Sequence, residues 1–583
     1  MLQQTKNHAL ERALPVIVWI VCSAILFYDL GGAALFEPDE GRNAEKAREI
    51  LLLDDWITPH ENFLPVLDKP VFFYWLIAAS YRAFGVSEWA ARLPSALAAL
   101  GCLVVVYRFA RLHWGRAEAV WSILILVTTA EFFILSRVVI SDMTLVFCVT
   151  LALCAFYNAS QAANPRARTG GYFLMYVAMA GGALIKGPIA AVLPGMIIAA
   201  YLGIRKDKDT LKQMRLAQGA ALFLLLVAPG YLWMESRNPG YLTYFFRDEH
   251  FGRFFGSEEF DRSAPWYYFF AVVLVGLLPW TLVIPLTARE RWRARWDGKN
   301  LFLLLWATLP LVFFSLSQSK LPHYLLPIFP PVALWIAQGA ARGVQSRAQF
   351  SFYTPWLIQF VILFYFVLGL AWPPILPQRI EPIVERTGTL LIAAAVLLVG
   401  IYALFLYARA RGLWQGQGSV CLAHAAGALV FMTLIAHLMA AASLERSAKP
   451  VVEAAAPWVG RGTQVIFYDT YLTGALFYLG AERPVWVVTR ANKKNTVLGN
   501  FYLAEDRARP QTPWGAALYT FDEFGEIWSR ADRPMVVIVK EKNIPKMKQR
   551  SGASGAEIGR FDEYVVLRNR PAETLRHAGK RDG

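Results

Sequence analysis

FEPDEGRNAEKAREILLLDDW, residues 36–56, directly follows LPVIVWIVCSAILFYDLGGAAL, residues 14–35. The first run is acidic at its start, at Asp39–Glu40. The second is 22 residues of almost unbroken apolar side chains, long enough to cross a hydrocarbon layer about 30 Å thick. An acidic pair therefore stands at the very end of a membrane-length segment. Within NAEKAREILLL, the apolar Ala44, Ala47, Ile50 and Leu51 share one helical face and the charges lie opposite. This spacing predicts an amphipathic helix lying on the membrane surface. On local grounds, a helix-capping Asp39 and a first-turn anion at Glu40 already account for the pair.

Working outward, similar apolar runs fill most of the 583 residues, 56% of which are hydrophobic and 17% charged. That composition indicates a polytopic α-helical membrane protein. The net charge of +15 fits basic cytoplasmic loops and argues against nucleic-acid binding. The five cysteines, at 22, 102, 148, 154 and 421, lie in apolar runs without metal-ligand spacing, so neither a disulfide framework nor a zinc site is expected. The first apolar run could be a signal peptide, with small residues at 31–34. An uncleaved anchor fits better, because cleavage would leave the acidic stretch as a loose end.

Thirteen crossings are expected, near 14–35, 90–110, 117–135, 143–162, 171–186, 189–204, 216–235, 266–287, 300–317, 323–340, 353–373, 388–408 and 419–442. KPVFFYWLIAASYRAFG, residues 69–85, is short and carries Arg82, so it is read as interfacial. The loops then sort by charge. RFARLHWGR, NPRARTGG, RKDKDTLKQMR, ARERWRARWDGK, ARGVQSR and ARARG fall with the N-terminus on one side, which marks it as cytoplasmic. Segment 36–89, the short loops SRVVISD and KGP, 236–265, SQSKLPHY and the C-terminal region fall on the other. The expected domains are thus a membrane domain over 1–443, carrying an outer juxtamembrane loop 36–89, and a domain over 444–583. In the latter, TQVIFYD, RPVWVVT, PMVVIVK and DEYVVLRN are short β-rich runs between helical stretches, predicting a small extracytoplasmic α/β domain.

The outer face gathers most of the polar chemistry. It carries Asp39–Glu40, Asp68–Lys69–Pro70, Arg137 with Asp142, Lys186–Gly187–Pro188, Glu249–His250 with Arg253, and Ser319–Lys320 with His323–Tyr324. Each cation alone is explained by snorkelling at a helix end. Together, cations beside a few carboxylates at head-group level suit a phosphate or diphosphate lipid head. A carboxylate among them could act as base or electrostatic anchor.

FEPDEGRNAEKAREILLLDDWITPHENFLPVLDKPVFFYWL, SRVVISDMTL, LIKGPIAAVLPG, RDEHFGRFFG and SKLPHYLLPIFPP occur in that order between about residues 10 and 340. In that combination the chain resembles membrane glycosyltransferases of the GT-C fold, above all the aminoarabinose transferases of lipid A and the protein O-mannosyltransferases. The resemblance implies an undecaprenyl-phosphate-linked sugar as donor, lipid A as acceptor, and an inverting transfer at the periplasmic face of a bacterial inner membrane. It implies Asp39 as the catalytic carboxylate with Glu40 beside it, and Lys69 and Arg253 on the donor phosphate. It further implies substrate binding by Arg137, Asp142, Lys186, Lys320, His323 and Tyr324, and a divalent metal that Asp68 and His250 could share. One departure stands out: the aminoarabinose transferases usually read Glu-Lys-Pro where this chain has Asp68-Lys69-Pro70. Alternatives are mannosyl or hexosyl transfer to protein or glycan, a lipid or solute transporter, and a non-catalytic assembly subunit. Transporters place charges at the bilayer midplane on paired broken helices, a pattern this sequence lacks.

Overall fold

The structure is a computed structural model of the full chain. It describes residues 2–252, 264–284, 296–343, 353–413, 417–460, 462–489, 511–512, 515–530, 533–551 and 555–569. The chain divides into two units: residues 1–33 with 89–442, and residues 34–88 with 443–583. The loop expected to belong to the membrane domain therefore belongs instead with the C-terminal region.

The helices used below are α1 (Leu2–Phe27), α2 (Asp39–Leu53), α3 (Phe72–Phe84), α4 (Glu88–His113), α5 (Arg116–Val127), α6 (Ala130–Ser136), α7 (Asp142–Gln161), α8 (Pro165–Lys186) and α9 (Ile189–Arg205). Among the described residues of the first unit, eight helices are long and apolar enough to cross a membrane, or nine if the bent pair α5–α6 forms one span. The chain is a multi-pass membrane protein.

Three expected spans are not straight rods. The first run stops being helical at Phe27. α5 and α6 meet at 68°. At that break the Thr128 and Thr129 hydroxyls donate back to the Leu124 and Ile125 carbonyls, at 2.6 and 2.7 Å, a bonding pattern that bends helices. In the 266–287 stretch, helix Tyr268–Gly276 gives way to turns, because Pro279 cannot continue the backbone ladder. The Leu278 carbonyl left over there accepts from Ala130 N at 2.9 Å, so the two breaks satisfy one another. Elsewhere small residues allow close approach. A Cβ on Gly182 would lie 2.6 Å from Ala190 Cβ, and one on Gly171 2.8 Å from Ala159 Cβ, so α7, α8 and α9 pack nearly backbone to backbone.

In the second unit the strands are β1 (His60–Glu61), β2 (Leu64–Pro65), β3 (Gln464–Tyr468), β4 (Trp486–Val488), β5 (Gln511–Thr512), β6 (Gly515–Ala516), β7 (Leu518–Tyr519), β8 (Met535–Lys540), β9 (Ala556–Phe561) and β10 (Tyr564–Arg568). Among the described residues, one six-stranded sheet runs β7-β4-β3-β8-β10-β9. β7, β4, β3 and β8 are parallel, with Ile466 opposite Val537, and β10 and β9 add antiparallel. Alternate side chains fill two cores, as a sheet covered on both faces requires. Phe467, Val536, Ile538 and Val566 pack against Val451, Ala455 and Leu476. Tyr468, Val537, Val539 and Val565 pack against Phe524, Trp528 and Met547.

Segment 34–88 belongs here for a plain reason: its apolar residues complete this core. Phe63 joins the first cluster, and Leu64 and Val66 pack on Val487 and Ala517. α3 has 13 residues, about 20 Å of helix, which is short of the hydrocarbon thickness. α2 is not an interfacial helix with its charges in water. Glu40, Asn43, Glu45, Lys46, Arg48 and Glu49 are all buried, whereas Leu52 is exposed. Gly41 sits against Gly474, where a Cβ would meet backbone atoms at 2.6 Å. Gly41→Ala should therefore destabilise the second unit by about 1–3 kcal/mol. Gly460→Ala, with open space around its Cβ, should not. Denaturant unfolding of both variants checks this.

Candidate functional site

α2 begins at Asp39, so both acids occupy its first turn, at the positive end of the helix dipole. They do different things. Asp39 is exposed, whereas Glu40 is buried and turns back to accept from Phe36 N at 3.0 Å. Along the helix, Arg42 and Lys46 follow Asp39 at spacings of three and seven and so share its face. Arg42 Nε lies 3.2 Å from Glu61 Oε2. Burial opposes the Arg42 charge, but Glu61, Asp68 and Asp39 outweigh it and raise its pKa. Lys46 is fully buried: its ammonium is 2.8 Å from Asp68 Oδ1 and 5.4 Å from the centre of the Tyr74 ring.

Asp68 in turn has Lys69 Nζ 3.9 Å from its other oxygen. Burial pushes the Asp68 carboxyl up, and Lys46, Lys69 and Arg42 together hold it well below the usual carboxylate range. Lys69 keeps part of its side chain exposed. The first carboxylate and the Asp68–Lys69 pair are thereby tied to one frame through α2, using residues the sequence analysis passed over: Arg42, Lys46 and Glu61. The sequence signal for them is the charge stripe Asp39–Arg42–Lys46, whose spacing predicts a solvent-facing side of α2. On another side of α2, Arg48 forks onto Glu45 at 2.7 and 2.8 Å and reaches the Ala481 carbonyl, and Glu49 accepts from Phe63 N at 2.9 Å.

The first unit holds a second polar group. Asp142 opens α7 and pairs with Lys186 at the end of α8, while His323 Nε2 is 4.0 Å from its other oxygen. The Lys186 ammonium lies 5.5 Å from the centre of the Tyr324 ring. Asp142, Lys186, His323 and Tyr324 are thus brought together. His250 joins Lys186–Gly187 from residues 244–252: Gly187, at φ +101°, leaves room for His250 Nε2, which a Cβ would meet at 2.7 Å. Lys320 donates to the Ser317 carbonyl at 2.7 Å.

Arg137 is placed differently from the sequence expectation of a substrate ligand beside Asp142. Its guanidinium donates to the Ile25, Leu26 and Asp29 carbonyls, at 3.3, 3.3 and 2.8 Å, and so closes the end of α1. Arg92 donates to the Leu30 and Ala33 carbonyls, in the turns that follow α1. Arg253 lies outside the described residues.

The two residues expected at a metal, Asp68 in the second unit and His250 in the first, each have a partner within their own unit. Asp68 is engaged by Lys46, and His250 Nδ1 is 2.7 Å from the Phe245 carbonyl. Among the described residues, no three or more His, Cys, Asp or Glu side chains stand close enough to hold an ion.

The class that this fold defines follows from its likeness to solved structures. Over 97% of this chain and 99% of the other, it superimposes on ArnT from Cupriavidus metallidurans bound to undecaprenyl phosphate, with a TM-score of 0.80 and 24% identity. The architecture is therefore the GT-C fold of that protein. The profile of the dolichyl-phosphate-mannose-protein mannosyltransferase family matches residues 68–233. The particular relatives are more specific. The undecaprenyl phosphate-alpha-4-amino-4-deoxy-L-arabinose arabinosyl transferase of Edwardsiella ictaluri is 35% identical over 318 residues, 54% of this chain and 57% of the relative. The Pseudomonas aeruginosa enzyme of the same name is 35% identical over 326 residues, 55% and 58% of the two chains. The match thus spans a little over half the length of these curated relatives.

Removing one partner of the buried pair should be costly. Asp68→Asn leaves the Lys46 ammonium uncompensated and should destabilise the second unit by about 3–5 kcal/mol, with Lys46→Met in the same chain restoring part of it. Because the folded pKa of Asp68 is depressed, its stabilisation is present at neutral pH. It is lost only as pH falls below the ordinary carboxylate range. Unfolding curves of wild type and variants between neutral and acid pH test both points.

Proposed function

We propose that this chain transfers 4-amino-4-deoxy-L-arabinose from undecaprenyl phosphate to lipid A, at the periplasmic face of the bacterial inner membrane. The observation that carries the reading is that the helix opened by exposed Asp39 also holds the Asp68–Lys69 pair, through the buried Lys46. In this reading thirteen segments cross the membrane: the eight long helices, the bent α5–α6 pair, α1, α8, α9 and the 266–287 stretch. An odd number puts the sheet domain on the side opposite the N-terminus.

The reaction breaks the bond between the sugar C1 and the donor phosphate oxygen, which leaves with the electron pair on undecaprenyl phosphate. Lys69 and Arg253 balance the charge that gathers there. An acceptor phosphate on lipid A is already ionised, attacks C1 from the opposite face and needs no base. Asp39 then orients the reacting groups and balances the positive charge that develops on the ring. With a hydroxyl acceptor, Asp39 would take the proton instead. Lys186, His323, Tyr324 and Lys320 supply substrate contacts from the helical unit. No step is routed through a metal.

The mannosyltransferase profile over 68–233 favours one second reading, hexosyl transfer from a polyprenyl phosphate to protein or glycan. Purified protein in lipid nanodiscs, offered either lipid-linked sugar, separates the two. Under the leading reading only the aminoarabinose donor supports transfer to lipid A. Asp39→Asn should lower kcat by about a thousandfold or more with the protein still folded. Lys69→Ala should raise the apparent KM for the donor about tenfold or more. Wild-type kinetics in either variant would remove that residue from the site.

A further inference from the structure

The five residues before α2 are held by the C-terminal part of the second unit through three backbone N–H groups, the Pro38 carbonyl and the Glu37 carboxylate. Ala34 N donates to Ser443 Oγ at 2.9 Å, Leu35 N to the Tyr478 hydroxyl at 2.7 Å, and Glu37 N to the Arg446 carbonyl at 2.8 Å. The Glu37 carboxylate is the most fully engaged group. Its Oε2 accepts from Thr473 N at 2.8 Å, and its Oε1 accepts from Gly474 N at 2.7 Å. The Thr473 hydroxyl lies 2.7 Å from both Glu37 Oε2 and the Pro38 carbonyl, and shares its single proton between them. Just beyond, Gly41 meets Gly474 backbone to backbone.

Thr473 and Gly474 belong to the loop that follows β3. That strand lies between β4 and β8, where the strand order reverses. The carboxyl end of a strand at such a reversal is where open α/β sheets bind ligands. Here the loop holds a carboxylate of its own chain, two residues before Asp39. Two backbone N–H groups and a hydroxyl converging on one carboxylate fix its position far more tightly than a single surface ion pair does.

We propose that Glu37 is a positioning residue for Asp39: Thr473 and Gly474 clamp its carboxylate, which fixes the first turn of α2 and the place of the Asp39 side chain. The sheet domain is thereby part of the catalytic apparatus rather than an appendage. The proposal rests on the reading in which Asp39 serves transfer. A glutamine at position 37 cannot replace the clamp, because its amide nitrogen would face the Thr473 or Gly474 N–H, donor against donor.

The test uses the full-length protein in nanodiscs with Glu37→Gln, Thr473→Val and Thr473→Ser. Backbone hydrogen exchange of residues 39–43 should be faster by about tenfold or more in Glu37→Gln and Thr473→Val. It should stay at the wild-type rate in Thr473→Ser, which keeps the hydroxyl, while β3 and β8 keep their protection in all three. With the lipid-linked aminoarabinose donor, kcat should fall about tenfold or more in the first two variants with KM changed less than about twofold, since misplacement of a reacting group acts on the chemical step. Unchanged exchange at 39–43 in Glu37→Gln would overturn the clamp. So would loss of protection in β3 and β8 in step with α2, which marks a merely structural role. A wild-type protein that transfers nothing would refute the proposed function, and the exchange measurement would still decide the clamp.

Discussion

The buried pair between Lys46 and Asp68 is the constraint on which the rest of this arrangement depends. A lysine with no solvent exposure is tolerable only beside a fixed anion, and Asp68 is fixed only where residues 60–70 return alongside α2. Forming the pair therefore forces the chain from 54 to 68 into one path. That path is the one in which Phe63, Leu64 and Val66 complete the core of the sheet. The same pairing leaves Lys69, the next residue, partly exposed beside an ionised neighbour. Packing and chemistry here are two consequences of one buried charge.

In the helical unit, irregular backbone appears where two breaks can satisfy each other, as with the Leu278 carbonyl and Ala130 N. Polar side chains inside that unit follow the same logic. Arg137 goes to carbonyls at the end of α1 and Arg92 to carbonyls of the turns that follow it, while Asp142 and Lys186 neutralise one another between α7 and α8. Lys186, unlike the two arginines, pairs with a carboxylate and lies in a cluster with His323, Tyr324 and His250.

Much of this was legible in the sequence, and the reasons for the rest are specific. Apolar length marked out the long helices, and β-branched runs marked β3, β4, β8 and β10, because both signals are local. The joining of 34–88 to the C-terminal region was not legible. It depends on contacts across about four hundred residues, such as Glu37 with Thr473, which no periodicity encodes. The face of α2 was misread for a related reason. Ala44, Ala47 and Ile50 are buried as their spacing indicated, but so are Lys46, Arg48 and Glu49, since a helix enclosed on several sides buries its charges in pairs. Arg137 beside Asp142 in sequence suggested a shared site, while the turn between α6 and α7 sends the two side chains to different partners.

The most direct test of the account is mass spectrometry of lipid A, and of the polyprenyl-phosphate pool, from cells with the gene intact, deleted, or carrying Asp39→Asn. The account predicts that an amino-pentose is lost from lipid A on deletion, is restored by the wild-type gene and not by Asp39→Asn, and that its lipid-linked form accumulates meanwhile. Lipid A of unchanged mass in all three strains, grown where that modification is made, would contradict it.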